Sequence, residues 1–176
     1  MMSRHRLVGA LLGDASLGCN RAFVYVIVAA AGGCVVFYVG QTRQRMGAVG
    51  RLAEHLSDGA NATFRQRVLD VAHAEVVGAI HFAALELSGE RAFQQSSPDY
   101  REAVECLVES ELREFVIANQ LQALSVARVR IHAYRTSSIV QREATRSLDA
   151  LRDWLRNSIA AIRVGMPSVS SPEAQH

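Results

Sequence analysis

The sequence predicts an α+β fold: a small, mostly antiparallel three-stranded sheet flanked by helices, followed by a C-terminal helical extension. Three observations lead there. Two apolar runs rich in β-branched and aromatic residues, Phe23–Ala31 and Cys34–Val39, meet at Gly32-Gly33, the pattern of a hairpin with a tight turn. A third apolar run, Glu75–Leu87, has strand composition even with Gly78 inside it, where glycine weakens a ladder. The polar segments between and after these runs carry apolar residues at helical spacing.

Each element has a local reason. Met1–Asn20 reads as a lead-in, a short helix or loose arm; Gly13-Asp14 cuts its apolar stretch too short for a signal peptide. In the hairpin, a loop centred on Gly32-Gly33 sets the register, because side chains alternate with a period of two. Tyr25 then lies opposite Gly40, and Ile27 opposite Tyr38. Val24, Val26, Val28, Val35, Phe37 and Val39 make one wholly apolar face that must be buried. The other face carries both tyrosines, with open space over Gly40. The uncharged stretch Ala22–Gly40 also has the length of a membrane-spanning helix. The glycine pair at its middle and its β-branched flanks favour the hairpin.

Gln41–Val49 reads as a polar, arginine-containing loop, and Ala48–Leu56 as a helix with Arg51 and His55 on one stripe beside Leu52 and Leu56. A second amphipathic helix, Ala62–His73, turns Phe64, Val68 and Val71 inward. His81 on the third strand reads as a core or edge histidine. Ser88–Asp99 is a loop that ends in a Ser-Pro-Asp helix start. The helix Tyr100–Gln120 buries Val104, Leu107, Val108, Leu112, Phe115 and Val116, and carries Glu105 and Glu109 beside that stripe. In Leu121–Tyr134, Arg128, Arg130 and His132 alternate with Val129, Ile131 and Ala133, a strand with a basic face. Gln141–Arg163 sets Leu148, Leu151, Leu155, Ile159 and Ile162 at helical spacing. This last helix either packs back on the sheet or supplies a homodimer surface. The polar tail from Pro167 is expected to be disordered. The divisions follow as a lead-in over 1–20, a central domain over 21–122, an extension over 123–166 and a tail over 167–176.

Composition sets the outer bounds. At 176 residues the chain can bury one sizeable core. Its 49% hydrophobic and 20% charged content is that of a soluble globular protein, with no membrane partner expected. A net charge of +2 is too small to argue for nucleic acid by itself. Every one of the 19 basic residues is arginine, which excludes a catalytic lysine; a GC-rich genome accounts for the bias more readily than selection for function, though arginine is also the better bidentate phosphate ligand. Cys19, Cys34 and Cys106 are scattered and form no CxxC pair. That pattern excludes a disulfide framework and a structural zinc site, and points to a reducing, cytoplasmic setting.

Taken in order, Phe23-Val24-Tyr25, a spacer of about a dozen residues, Tyr38-Val39-Gly40, then Arg51 and His55 resemble the GIY-YIG nuclease family. The family's later glutamate, in a pattern close to Leu-x-Glu-x-x-Leu-Ile, is matched by Leu107-Val108-Glu109-Ser110-Glu111-Leu112, with Arg113 replacing the last apolar residue. The resemblance covers residues 22 to 121, a little over half the chain. Phe23 departs from the family's glycine, and extra residues within Arg45–Gly50 lengthen the path from Gly40 to Arg51.

The resemblance implies a metal-dependent DNA endonuclease that hydrolyses phosphodiester bonds. In it Tyr25 is the general base or part of the network that activates the water, Arg51 stabilises phosphate charge, and Glu109 holds one divalent ion, Mg²⁺ or Mn²⁺. Glu105 is the reserve ligand. Tyr38 and His55 orient water and phosphate, and His55 is a second candidate base. Gly40, Gln41, Thr42, Arg43 and Arg45 are the expected DNA contacts, with Asn119 standing where the family often has an asparagine. The alternative is a catalytically inactive DNA-binding or interaction module on the same fold. The enzyme reading as assigned requires two phenols, a guanidinium, an imidazole and the Glu109 carboxylate around one small cavity; Glu109 pointing away from Tyr25 and Arg51, or the first apolar segment coiled as a single helix, collapses it.

Overall fold

In the computed structural model, which describes residues 6–12, 21–57, 62–128 and 131–166, the chain forms a five-stranded mixed sheet with helices on both faces. The strands are β1 (Arg6–Leu12), β2 (Phe23–Ala31), β3 (Cys34–Thr42), β4 (Val76–Glu86) and β5 (Ala123–Ser125), in the spatial order β1-β4-β2-β3-β5. The helices are α1 (Gly47–Leu56), α2 (Thr63–Ala72), the short α3 (Arg91–Gln94), α4 (Asp99–Ala118) and α5 (Ser138–Val164).

The three central strands are antiparallel, as expected, but the sheet is wider than three. β1 adds in parallel to β4, and β5 adds in parallel to β3. Residues 6–12 are therefore a strand and not a short helix or loose arm. A parallel partner is joined only through a long connection, and no local sequence signal marks it.

Gly32 and Gly33 both adopt positive φ, 58° and 78°, the turn whose twist matches that of the strands it joins. The register is the one the loop dictates, with Tyr25 paired to Gly40 and Ile27 to Tyr38. Ala22–Gly40 is thus a hairpin and not one helix, and among the described residues no helix is long and apolar enough to cross a membrane. In β4, pairing to β2 jumps from Ile80 to Val77 between Ala29 and Ala30, and Gly78 takes φ 70° at that irregularity. The glycine marks a bulge.

The two faces of the sheet bury separate cores. Val24, Val26, Val28, Val35, Phe37 and Val39 pack with Val104, Val108 and Leu112 of α4 and Leu148, Leu151, Leu155 and Ile159 of α5. Phe23, Tyr25, Ile27, Val36 and Tyr38 face Leu52 of α1 and Phe64 and Val68 of α2. The apolar stripe of α5 packs back on the sheet inside the chain. Residues 123–166 accordingly share a core with residues 21–122. Val71 is exposed, against expectation, because α2 ends at Ala72 with its buried stripe on Phe64 and Val68. The expected basic-faced strand also fails. Only Ala123–Ser125 is strand, Val129 and Arg130 lie outside the described residues, and Ala133–Thr136 is a 3₁₀ turn. The tail from Pro167 lies outside the described residues as well.

Candidate active site

Tyr25 sits on the α1–α2 side of the sheet, 1% exposed, with its ring across the neighbouring strand. A Cβ added to Gly40 would stand 2.4 Å from the Tyr25 hydroxyl oxygen. Only glycine leaves room for the phenol there, so the paired positions Tyr25 and Gly40 are one device. The Tyr38 ring lies 6.4 Å from that of Tyr25, centre to centre. Phe82 and Phe64 complete the aromatic wall.

His55 reaches this cluster from the last turn of α1 and is fully buried. Its Nδ1 accepts the backbone N–H of Phe64 at 3.2 Å, and its Nε2 stands 2.6 Å from the Tyr25 hydroxyl. A ring nitrogen that accepts an amide proton carries none itself, so the neutral imidazole is protonated at Nε2 and donates to Tyr25. Burial, then the Arg51 charge, push the His55 pKa down to about 4. Sequence makes His55 a second candidate base in contact with water and phosphate. In the fold it is neutral, both nitrogens are engaged, and it has no exposed surface. Its action runs through Tyr25.

Arg51, one turn earlier on α1, donates from Nη1 to Glu54 at 2.6 Å, and its charge pulls the Tyr25 pKa down against burial. Gln44 donates to the same Glu54 carboxylate oxygen at 2.9 Å. The Gln44 and Arg51 hydrogen bonds hold Glu54 below the usual carboxylate range. Glu54 fixes the guanidinium. Sequence reasoning missed it, although the i,i+3 spacing from Arg51 is a signal on a helix.

Tyr25 therefore accepts a hydrogen bond from the imidazole. Burial and then the Tyr38 phenol raise its pKa well above 10, against the opposing pull of Arg51. The resting group is a neutral phenol with one observed donor, and a guanidinium charge acts on it.

The carboxylate is where expectation and structure part. Glu109 is buried, and its Oε1 accepts from Arg113 Nε at 3.0 Å, from Arg113 Nη2, and from the Ser125 hydroxyl at 2.8 Å. Ser125 is paired with Phe37, whose side chain lies in the α4–α5 core, so Glu109 is fastened on the side of the sheet away from Tyr25. Its charge is already matched by Arg113, so it does not suit a metal. Glu105, one turn toward the start of α4, is the glutamate whose charge reaches Tyr25, opposing loss of its proton. β5 pairs only Val35–Phe37, so among the described residues the outer edge of β3 beyond Phe37 has no strand beside it.

The remaining expected contacts divide. Gln41, Thr42, Arg43 and Arg45 follow Gly40 at the same end of β3, with Arg43 and Arg45 exposed and Thr42 buried, its Oγ1 accepting the Gln44 N–H at 3.1 Å. Asn119 does not join them. It ends α4, donates to Phe115 O at 2.8 Å, and leads into the segment paired with Val35, at the hairpin-turn end of the sheet. A cavity of about 560 Å³ lined by Cys34, Gln122 and Arg163 also lies at that far end. His81 is half-buried and unconnected to the cluster. Among the described residues no three of His, Cys, Asp and Glu gather as a closed metal shell. Comparison of the chain with protein-family models, with curated proteins and with solved structures gives no match.

Proposed function

We propose that the chain is a metal-dependent DNA endonuclease of the GIY-YIG type, with Glu105 in the role that sequence gave to Glu109. The observation that carries this reading is the Tyr25–His55–Arg51 arrangement. A buried phenol hydrogen-bonded to a fully buried imidazole is an unusual arrangement for packing alone, because each polar group there must be desolvated.

Hydrolysis needs water attack at phosphorus, neutralisation of the charge gathered on the phosphate oxygens, and departure of the 3′ oxygen. Tyr25 first passes its phenolic proton to solvent, the Arg51 charge favouring the phenolate, then takes the proton of the attacking water, and the phenol re-formed accepts from His55 Nε2–H. Arg51, kept charged by Glu54, also faces the phosphate oxygens. The water oxygen bonds to phosphorus as the P–O3′ bond breaks, and the 3′ oxygen leaves as a hydroxyl after gaining a proton from solvent. Glu105 would hold a divalent ion, Mg²⁺ or Mn²⁺, whose other positions are water and phosphate oxygens. Such an ion supplies Lewis-acid stabilisation of the phosphate and lowers the pKa of bound water.

One observation favours the alternative, a catalytically inactive nucleic-acid-binding module: the glutamate in the family-like pattern is neutralised by Arg113. Nicking of supercoiled plasmid in Mg²⁺ or Mn²⁺ separates the two. Glu105→Gln is expected to lower cleavage by about 100-fold, in the range of one electrostatic catalytic group. Wild-type protein that binds duplex DNA but never nicks it with either metal makes the inactive module the correct reading.

A further inference from the structure

The connection from β5 to α5 carries a pattern that the nuclease chemistry does not use. Between Glu114 and Glu143 the sequence has no acid, yet it holds Arg128, Arg130, His132, Arg135 and Arg142. Tyr134 lies inside that basic run and is 41% exposed on its 3₁₀ turn. Its ring lies on that of Tyr100, the second residue of α4, with centres 4.7 Å apart and planes 11° from parallel. Tyr100 is half-buried and backed by the α4–α5 core. The turn is fixed as well, because His132 Nδ1 accepts the Tyr134 N–H at 3.3 Å. A flat ring is thus held from behind and partly open to solvent.

The charge around it favours an anion. Among the described residues neither Arg128 nor Arg135 has an ion-pair partner. The acids of the first turn of α4 are Glu102 and Asp99, and Asp99 accepts from the Ser97 hydroxyl at 2.6 Å. The place also suits the proposed site. Arg101, next to Tyr100, donates to Gln41 Oε1 at 3.2 Å, and Gln41 follows Gly40, the hairpin partner of Tyr25. The connection leaves the sheet at Val126, whose N–H bonds the Phe37 carbonyl at 2.9 Å, and meets α4 at Tyr100. Its two ends therefore stand at the two ends of the length of β3 that β5 leaves unpaired.

An aromatic face among unpaired arginines fits one form of nucleic acid. A base inside a duplex is covered on both sides by its neighbours, whereas an unpaired base offers a free face for stacking. We infer that Tyr134, backed by Tyr100, is a stacking platform for one unpaired base of the substrate strand, with Arg128 and Arg135 on the phosphates beside it. The inference rests on the nuclease reading for its ligand, DNA, and deepens it: the preferred substrate has a single-stranded stretch near the scissile bond. The platform does not read base identity, because every base has a flat face.

The test uses the full chain without divalent metal, a short single-stranded DNA carrying 2-aminopurine, and a long duplex. Wild-type protein should quench the 2-aminopurine as that base stacks. Tyr134→Leu keeps apolar contact with Tyr100 but has no ring face; it should weaken single-strand binding by about 10-fold and lose the quench. Tyr134→Phe should keep both, and duplex binding should be the same in all three proteins. Arg128→Gln, an exposed change, should lower the salt slope of single-strand binding by about 0.7. Quench and affinity retained in Tyr134→Leu overturn the platform, as does an equal loss in Tyr134→Phe. Tyr134-dependent single-strand binding by a protein that never nicks plasmid in Mg²⁺ or Mn²⁺ keeps the platform and removes the catalytic reading. Nicking by a protein whose single-strand binding ignores Tyr134 keeps the nuclease and removes the platform.

Discussion

The two faces of the β2–β3 hairpin make an internal comparison. Both are buried, both come from the same eighteen or so residues, about the length of a membrane span, and they differ only in parity. The face toward α4 and α5 is aliphatic apart from Phe37, and every side chain on it meets another apolar group. The face toward α1 and α2 carries two phenols, receives a histidine from α1, and needs a glycine to admit one of the rings. One face is a packing surface whose contribution scales with area removed from water. The other gives up apolar contact for directed hydrogen bonds, and buried polar groups demand that each bond be made.

The comparison breaks first at Tyr25. Tyr25→Phe keeps the ring and removes the hydroxyl; plasmid nicking should fall by about 10²–10⁴-fold, with circular dichroism unchanged. Activity within a few-fold of wild type would reduce the polar face to another packing surface.

Acid sharpens the contrast next. The His55 pKa is depressed to about 4 by burial, against about 6.5 when unfolded. Between those values the unfolded chain binds the extra proton, so stability is full above pH 6.5 and falls as pH drops toward 4. The loss from this group is about 3 kcal/mol. Urea unfolding across this range should show it in wild type and not in His55→Gln. Equal pH slopes in the two proteins would mean that His55 is solvated.

On the aliphatic face, Val26→Ala should cost about 2–3 kcal/mol through lost burial and a residual cavity. Cleavage well below Tm should stay at the wild-type rate, because nothing on this face touches the phenol. The smallest effect belongs to Glu109→Gln, expected to cost about 1 kcal/mol in guanidinium unfolding by weakening a charge-assisted bond to Arg113, with nicking unaltered. A loss of cleavage as large as that of Glu105→Gln would restore Glu109 to the site.

Much of this was legible without coordinates. The register across Gly32-Gly33, the pairing of Tyr25 with Gly40, the division into an aliphatic and an aromatic face, and the i,i+4 approach of Arg51 and His55 all follow from local periodicity. The surroundings of Glu109 were not. Glu105 and Glu109 are equivalent on a helical wheel, and a pattern match selected the one that is held by Arg113 and Ser125. Asn119 was likewise placed by order along the chain, whereas α4 carries it to the opposite end of the sheet.

The sequence by itself determined which side chains share a face, because alternation with a period of two and helical spacing are properties of neighbouring residues. Only the tertiary structure decided that Glu109 is held by Arg113 and Ser125 on the side of the sheet away from Tyr25, and that Arg101 meets Gln41. Those outcomes depend on how far α4 slides along the sheet before its apolar residues lock against those of β2, β3 and α5. That distance is fixed by packing between segments far apart in the chain, and no short stretch of sequence contains it.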